Sequence, residues 1–264
     1  MRIKLNLRLE ENQPFPLNAA YPLMALIYRT LRESSSDYSE FLHQKGYISH
    51  KDKTFKFYTF SRIQVSVRRI IKNSGLLLPQ NPRATWFVSS PVEEFVQHLI
   101  VGLFQKGYFQ LNFTCLRGKA YTQRILVENV EITPNPSFSP LMHFYCLSPI
   151  VATIRPKDRS QPLYILADQP EDFSRLVHQN LKSKFQTLYG TPPPPGDFHL
   201  MFDQDYIQAH PKGGTVLEIH KNGIKHRGML APFTVSGPPE LIRLGYETGF
   251  GEKNSMGFGC VEVV

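Results

Sequence analysis

Apolar and polar residues alternate from the start of the chain. Ile3, Leu5, Leu7 and Leu9 interleave with Arg2, Lys4, Asn6 and Arg8, the period of two that gives a strand one buried and one polar face. The basic side chains of that strand are expected on the open face. Beyond Pro16 and Asn18 the period becomes helical, because Leu23, Leu26, Ile27 and Leu31 share one face, and this predicts a helix over roughly 19–34 that stops at Ser34, Ser35 and Ser36. Residues 57–69 read as a strand or hairpin and 85–90 as a strand. Pro91 then opens a helix at the first position, where its missing N–H costs nothing, with Val92, Phe95, Val96, Leu99, Ile100 and Leu103 on its apolar face. Strands at 108–116 and 123–132 complete an order of βαββαβ with an added hairpin.

Three prolines between Thr133 and Pro140 can continue neither period, so 134–141 reads as a linker between domains at 1–133 and 142–264. After it the pattern restarts. A strand is predicted over 142–154, a helix over 171–188 (Phe173, Leu176, Val177, Leu181, Phe185 and Leu188), strands over 198–208, 215–220 and 229–235, and a short helix over 238–244. The four prolines at 192–195 form a stiff loop inside this second unit. The expected fold class is α+β, two βαββαβ units in tandem, closed by a glycine-rich loop and a final strand.

At 264 residues there is enough chain for one large domain or two smaller ones, each with its own core. Charge adds more. The net charge is +8, and residues 1–141 carry 18 Lys+Arg against 10 Asp+Glu, whereas 142–264 carry 12 of each. Within the basic half, Lys45, Lys51, Lys53, Lys56, Arg62, Arg68, Arg69 and Lys72 are opposed only by Asp52. Such a field attracts a polyanion, with binding that weakens in salt. Phe55, Phe57, Tyr58 and Phe60 interleave these cations and suit either base stacking or a strand core. A sheet with a broad open face and a basic surface agree on nucleic acid as partner. Cys115, Cys146 and Cys260 lack the spacing of a disulfide framework or zinc site. No apolar run reaches membrane-span length, and the charged, alternating start is unlike a signal peptide, so a reducing cytoplasm is the expected location.

The segment 244–259, LGYETGFGEKNSMGFG, holds Gly249, Gly251, Gly257 and Gly259 with Lys253, Asn254 and Ser255 at its tip. Nucleotide-binding glycine loops precede a long helix, and here only one short strand follows. The loop is therefore expected to offer bare backbone N–H groups and a cation to RNA phosphate, or else to be a simple turn. The segment resembles the C-terminal glycine-rich signature of the CRISPR repeat-processing endoribonucleases. That resemblance implies ferredoxin-like, RNA-recognition-motif-like domains and CRISPR repeat RNA, precursor and product, as partner. It leaves open other effector-complex subunits and a homodimer.

RNA can be cut without a metal if a group takes the 2′-OH proton, another protonates the departing 5′-oxygen and a cation steadies the phosphate. His43, in the segment 39–46 SEFLHQKG, resembles the family's histidine after the first helix, which implies a general base. Tyr28, in LIYR at 26–29, matches a helix tyrosine that acts as general acid or orients the site. Lys56, in KFYTFS at 56–61, resembles the family's transition-state lysine, with Lys51 and Lys53 as alternatives, and Ser148, Pro149 and Ile150 fit the opening of the second unit. The expected activity is metal-independent cleavage within the repeat, with no cofactor and no metal ligands, and the alternative is a non-catalytic guide-RNA-binding subunit. Asp203 and Asp205, alternating on a predicted strand, are the one weak hint of metal ligands. No GxSxG elbow is present.

Overall fold

The computed structural model describes residues 1–49, 53–115, 118–156, 158, 160–210, 212–219 and 224–264. Its first sheet is built around Arg2–Arg8. That strand runs antiparallel to Arg83–Ser89 on one side, in register from Arg2 opposite Ser89 to Arg8 opposite Arg83, and to Ala120–Thr133 on the other. Thr59–Phe60 and Gln64–Val65 extend one edge and Tyr108–Thr114 the other. Helices α1 (Ala20–Ser34) and α3 (Glu93–Lys106) cover one face, where Ile3, Leu5, Leu7, Trp86 and Val88 pack against Leu23, Ile27, Leu31, Phe95 and Leu99. Between α1 and the first edge strand lies α2 (Ser36–Gln44).

In the second sheet Leu141–Cys146 sits between Phe233–Ser236 and Val261–Val263, with His199–Phe202 outermost. Helices α4 (Pro170–Tyr189) and α6 (Pro239–Thr248) supply Phe173, Val177, Leu181, Leu241 and Ile242 to its core. A short helix, α5, spans Gln204–Ala209. The second sheet follows the order fourth, first, third, second strand of a βαββαβ unit, and the first does so with Ala120–Thr133 as its fourth strand and Tyr108–Thr114 added outside it. The chain thus folds as two ferredoxin-like units in tandem.

Several local expectations change. Ser35 ends α1 but its side chain accepts the Tyr38 N–H, so the serine run is also the N-cap of α2 and His43 lies in that helix's last turn. The strand expected over 142–154 breaks into Leu141–Cys146 and Ala152–Ile154 around Pro149, which cannot donate to a ladder. The strand expected over 198–208 ends at Phe202. Asp203 accepts the Tyr206 N–H as N-cap of α5, so Asp203 and Asp205 do not share a strand face. Helix α3 begins at Glu93, two residues after Pro91, with Ser90 Oγ accepting the Val92 N–H. Phe55, Phe57, Tyr58 and Phe60 are buried and belong to the core, leaving no face for bases.

The Arg2 end of the first sheet meets the second unit, which overturns the expected exposure of Arg2. Its side chain is fully buried, donates to Glu262 at 3.1 Å and to the Tyr246 carbonyl at 3.3 Å, and stacks 3.7 Å over the Tyr246 ring. Further along, Lys4 pairs with Glu131 and Arg8 with Glu128. The Arg62 N–H bonds the Leu147 carbonyl across the junction.

Candidate active site and nucleic-acid interface

The short helix α2 buries Tyr38, Ser39 and Leu42 against α1, and Ser39 Oγ donates to the Tyr28 carbonyl at 3.1 Å. This docking sets the exposed His43 ring edge-on to Tyr28, with ring centroids 5.1 Å apart and planes at 80°. A cleft of about 270 Å³ opens beside them, lined by Tyr28, Arg32, Ser36, Ser39, Glu40, His43 and Gln44. Burial pushes the Tyr28 phenol above its ordinary pKa, and a hydrogen bond with Tyr58 partly offsets this. Tyr28 therefore stays a proton donor at neutral pH, poised beside an imidazole open to solvent.

Lys56 arrives from the following segment and lies under the same helix end. Its ammonium donates to the Leu42 carbonyl and, at 3.1 Å, to the His43 carbonyl, complementing the C-terminal end of α2. Burial lowers its pKa. Gly46 makes this approach possible: it sits at φ +60°, and a Cβ there would come within 3.0 Å of the Lys56 Nζ. Lys53 is exposed on the same arm, and Lys51 lies outside the described residues.

The glycine-rich loop reaches this site from the second unit. Tyr58 Oη donates to the Ser255 carbonyl at 3.2 Å and Thr59 Oγ1 to the Phe258 carbonyl at 2.9 Å. Tyr58 thus ties the first unit to the loop close to the Tyr28 and His43 pair. A second cleft of about 570 Å³ lies along that seam, lined by Lys53, Lys56, Arg155, Lys184, Lys253 and Ser255 among others.

The loop is not the row of free donors that its glycines suggest. Gly249, Gly251, Gly257 and Gly259 are buried, and the N–H groups of Phe250, Glu252, Met256, Gly257 and Gly259 all bond carbonyls of the protein. Asn254 is spent as well: its Nδ2 donates to the Phe250 and Phe258 carbonyls, and its Oδ1 accepts from Lys184. Lys253 and Ser255, half-buried, are what the tip offers outward. Lys184 was missed from sequence. It is 2% exposed and donates to the Gly249 carbonyl at 2.6 Å, the Gly251 carbonyl at 3.3 Å and Asn254 at 2.7 Å. Its signal was there, since 177, 181 and 184 fall on the buried face of α4.

The basic stretch does not stay together in space. Lys45 and Lys56 stand at the end of α2 and Lys53 lines the cleft along the seam, whereas Arg62 and Arg68 line a groove of about 790 Å³ with Asn6, Arg83 and Tyr145. Arg69 is exposed beside it on the Arg68–Ile71 strand. Burial raises the thiols of Cys146 and Cys260 to about 12 and about 11, which removes them as nucleophiles. Among the described residues, no three His, Cys, Asp or Glu side chains gather as metal ligands, and no helix is long and apolar enough to cross a membrane.

Comparison with known proteins places the chain in a family. The family described as CRISPR-associated protein Cas6, N-terminal, matches residues 14–115, and CRISPR associated protein Cas6, C-terminal, matches residues 133–263. The chain belongs to the Cas6 family. Among its Cas6 relatives, the CRISPR-associated endoribonuclease Cas6 1 of Methanocaldococcus jannaschii is 29% identical over 262 residues, covering 99% of this chain and 92% of that protein. The CRISPR-associated endoribonuclease Cas6 of Pyrococcus furiosus is 27% identical, covering 94% and 83%. A solved structure described as CRISPR associated protein Cas6 is 30% identical, covers 100% of this chain and 99% of its own, and superposes with a TM-score of 0.74. The matched N-terminal part contains Tyr28, His43 and Lys56.

Proposed function

We propose that this Cas6-family chain is a metal-independent endoribonuclease that cuts CRISPR precursor RNA within each repeat, releasing guide RNAs. The observation that carries the proposal is the His43 imidazole set edge-on to Tyr28 beside an open cleft. The names of its relatives as CRISPR-associated endoribonucleases support the reaction class. His43 takes the proton from the 2′-OH upstream of the scissile phosphate, and O2′ bonds to phosphorus. The P–O5′ bond breaks, and Tyr28 delivers a proton to the leaving O5′. The products are a 2′,3′-cyclic phosphate and a 5′-OH. Lys56 adds positive charge through the last turn of α2, where its ammonium is held. Lys45, Lys53, Lys253 and Ser255 flank the cleavage site as phosphate contacts, and Arg62, Arg68 and Arg69 hold RNA along the larger groove.

The test is single-turnover cleavage of repeat RNA by the pure protein in EDTA, with both product ends mapped. Cleavage proceeds in EDTA and stops with a single 2′-deoxy substitution upstream of the cut. His43→Ala slows it by roughly 10²-fold, the scale of losing a positioned acid or base, while RNA affinity holds. Activity lost in EDTA and restored by magnesium overturns the mechanism. Tight binding without any cleavage makes the protein a guide-RNA-holding subunit instead.

A further inference from the structure

We propose that Arg32 is the cation that grips the scissile phosphate, with Lys56 acting one step behind it as a positioning residue. The inference rests on the endoribonuclease reading of the His43 cleft.

Arg32 stands four residues after Tyr28 on α1, so both side chains leave the same helix face. It lines the same cleft of about 270 Å³ as Tyr28 and His43. It is exposed and, among the described residues, makes no hydrogen bond or ion pair. The acid lining that cleft, Glu40, is already bonded at 2.7 Å by Gln44 Nε2. Lys56 is placed differently. Its ammonium is half-buried beneath the end of α2 and engaged by the carbonyls of Leu42 and His43. Reaching a phosphate would uncover two helix-terminal carbonyls that it now satisfies.

The chemistry separates the two residues. As O2′ closes on phosphorus and P–O5′ lengthens, charge grows on the two non-bridging oxygens. A guanidinium is a planar fork with paired N–H donors that match two such oxygens, and its ionisation does not depend on the pocket. The ammonium of Lys56 instead fixes the backbone that carries His43. Arg32 neither gives nor takes a proton in the step.

Stereospecific sulfur substitution distinguishes the two roles. Repeat RNAs carrying the Rp or Sp phosphorothioate at the scissile position are cut under single-turnover, saturating conditions. Arg32→Ala slows cleavage of ordinary RNA by roughly 10²-fold, as loss of a donor to a developing oxyanion does. It also erases the rate difference between the diastereomers, and Arg32→Lys restores part of both. Lys56→Ala slows cleavage but preserves that difference, because it displaces His43 without freeing an oxygen. Arg32 is exposed at a helix surface, so matched thermal unfolding curves establish that its variants fold. A wild-type rate in Arg32→Ala, or discrimination lost in Lys56→Ala and kept in Arg32→Ala, overturns the assignment while leaving the cleft as the site. A wild-type rate in His43→Ala removes the cleft itself, and Arg32 with it.

Discussion

Lys184 shows how one side chain can hold a loop in shape. Its stem lies on the buried face of α4, and its ammonium ends among three acceptors of the glycine-rich loop, two of them backbone carbonyls. Burial lowers its pKa to about 7, with Glu252 pulling weakly the other way. The unfolded chain, with lysine near 10.4, therefore binds more protons than the native state between those values, so stability rises with pH across that window. The contribution is complete above the unfolded value and is lost as pH falls through about 7. Lys184→Met leaves the acceptors unsatisfied, costing about 2–4 kcal/mol. The stability gap between wild type and variant widens from pH 7 to pH 10, read from chemical unfolding at each pH. A gap that stays constant with pH sinks the argument that Lys184 folds with a depressed pKa. The residues of the candidate site were more legible than Lys184: Tyr28, His43 and Lys56 do converge, although spacing alone did not show that the Lys56 ammonium would turn inward to α2.

At the scale of elements, the glycine-rich loop is a plug between the units. Gly257 sits at φ +89°, and a Cβ there would lie 2.7 Å from a Phe60 ring carbon and 3.1 Å from the Ala20 Cβ. The glycine lets the second unit seat against both α1 and the edge strand of the first. Gly257→Ala adds left-handed strain to a steric clash and costs at least about 2 kcal/mol. Thermal unfolding measures the loss, and RNA affinity of the folded fraction changes little. Weak RNA binding at undiminished stability would return the loop to the role of phosphate cradle. Helix α2 was hidden in the sequence for a related reason. Nine residues with few apolar positions give a weak period, and Ser35 serves at once as the end of α1 and the cap of α2. Asp203 behaved likewise, a helix cap placed within an apparent strand.

Across the whole molecule, the junction between units is held by a buried cation. Arg2 comes from the first strand of the first unit, while Tyr246 and Glu262 belong to α6 and the last strand of the second. Arg2→Ala removes the ion pair, the carbonyl bond and the ring contact together and costs about 3 kcal/mol. The expected readout is a lower unfolding midpoint with a broadened or split transition as the units uncouple. An unchanged, single transition would mean that the junction is held elsewhere. Docking at this junction also divides the basic stretch between two clefts, so proximity in sequence overstated proximity in space.

Local periods sufficed for most of the strands and helices of both units, because alternation and helical spacing are imposed by burial of one face at a time. The glycines at 249, 251, 257 and 259 were equally visible as positions that refuse a side chain. Which groups would fill the space beside them was not written locally. The burial of Arg2, the capture of Lys184 by the loop, the inward turn of Lys56 and the meeting of Tyr28, Arg32 and His43 depend on surfaces joined only after the chain has folded. A polar side chain's partner is set by three-dimensional neighbours, from 13 residues away for Lys56 to 260 for Arg2. Tertiary packing alone decides whether its charge faces water, a carbonyl or a phosphate.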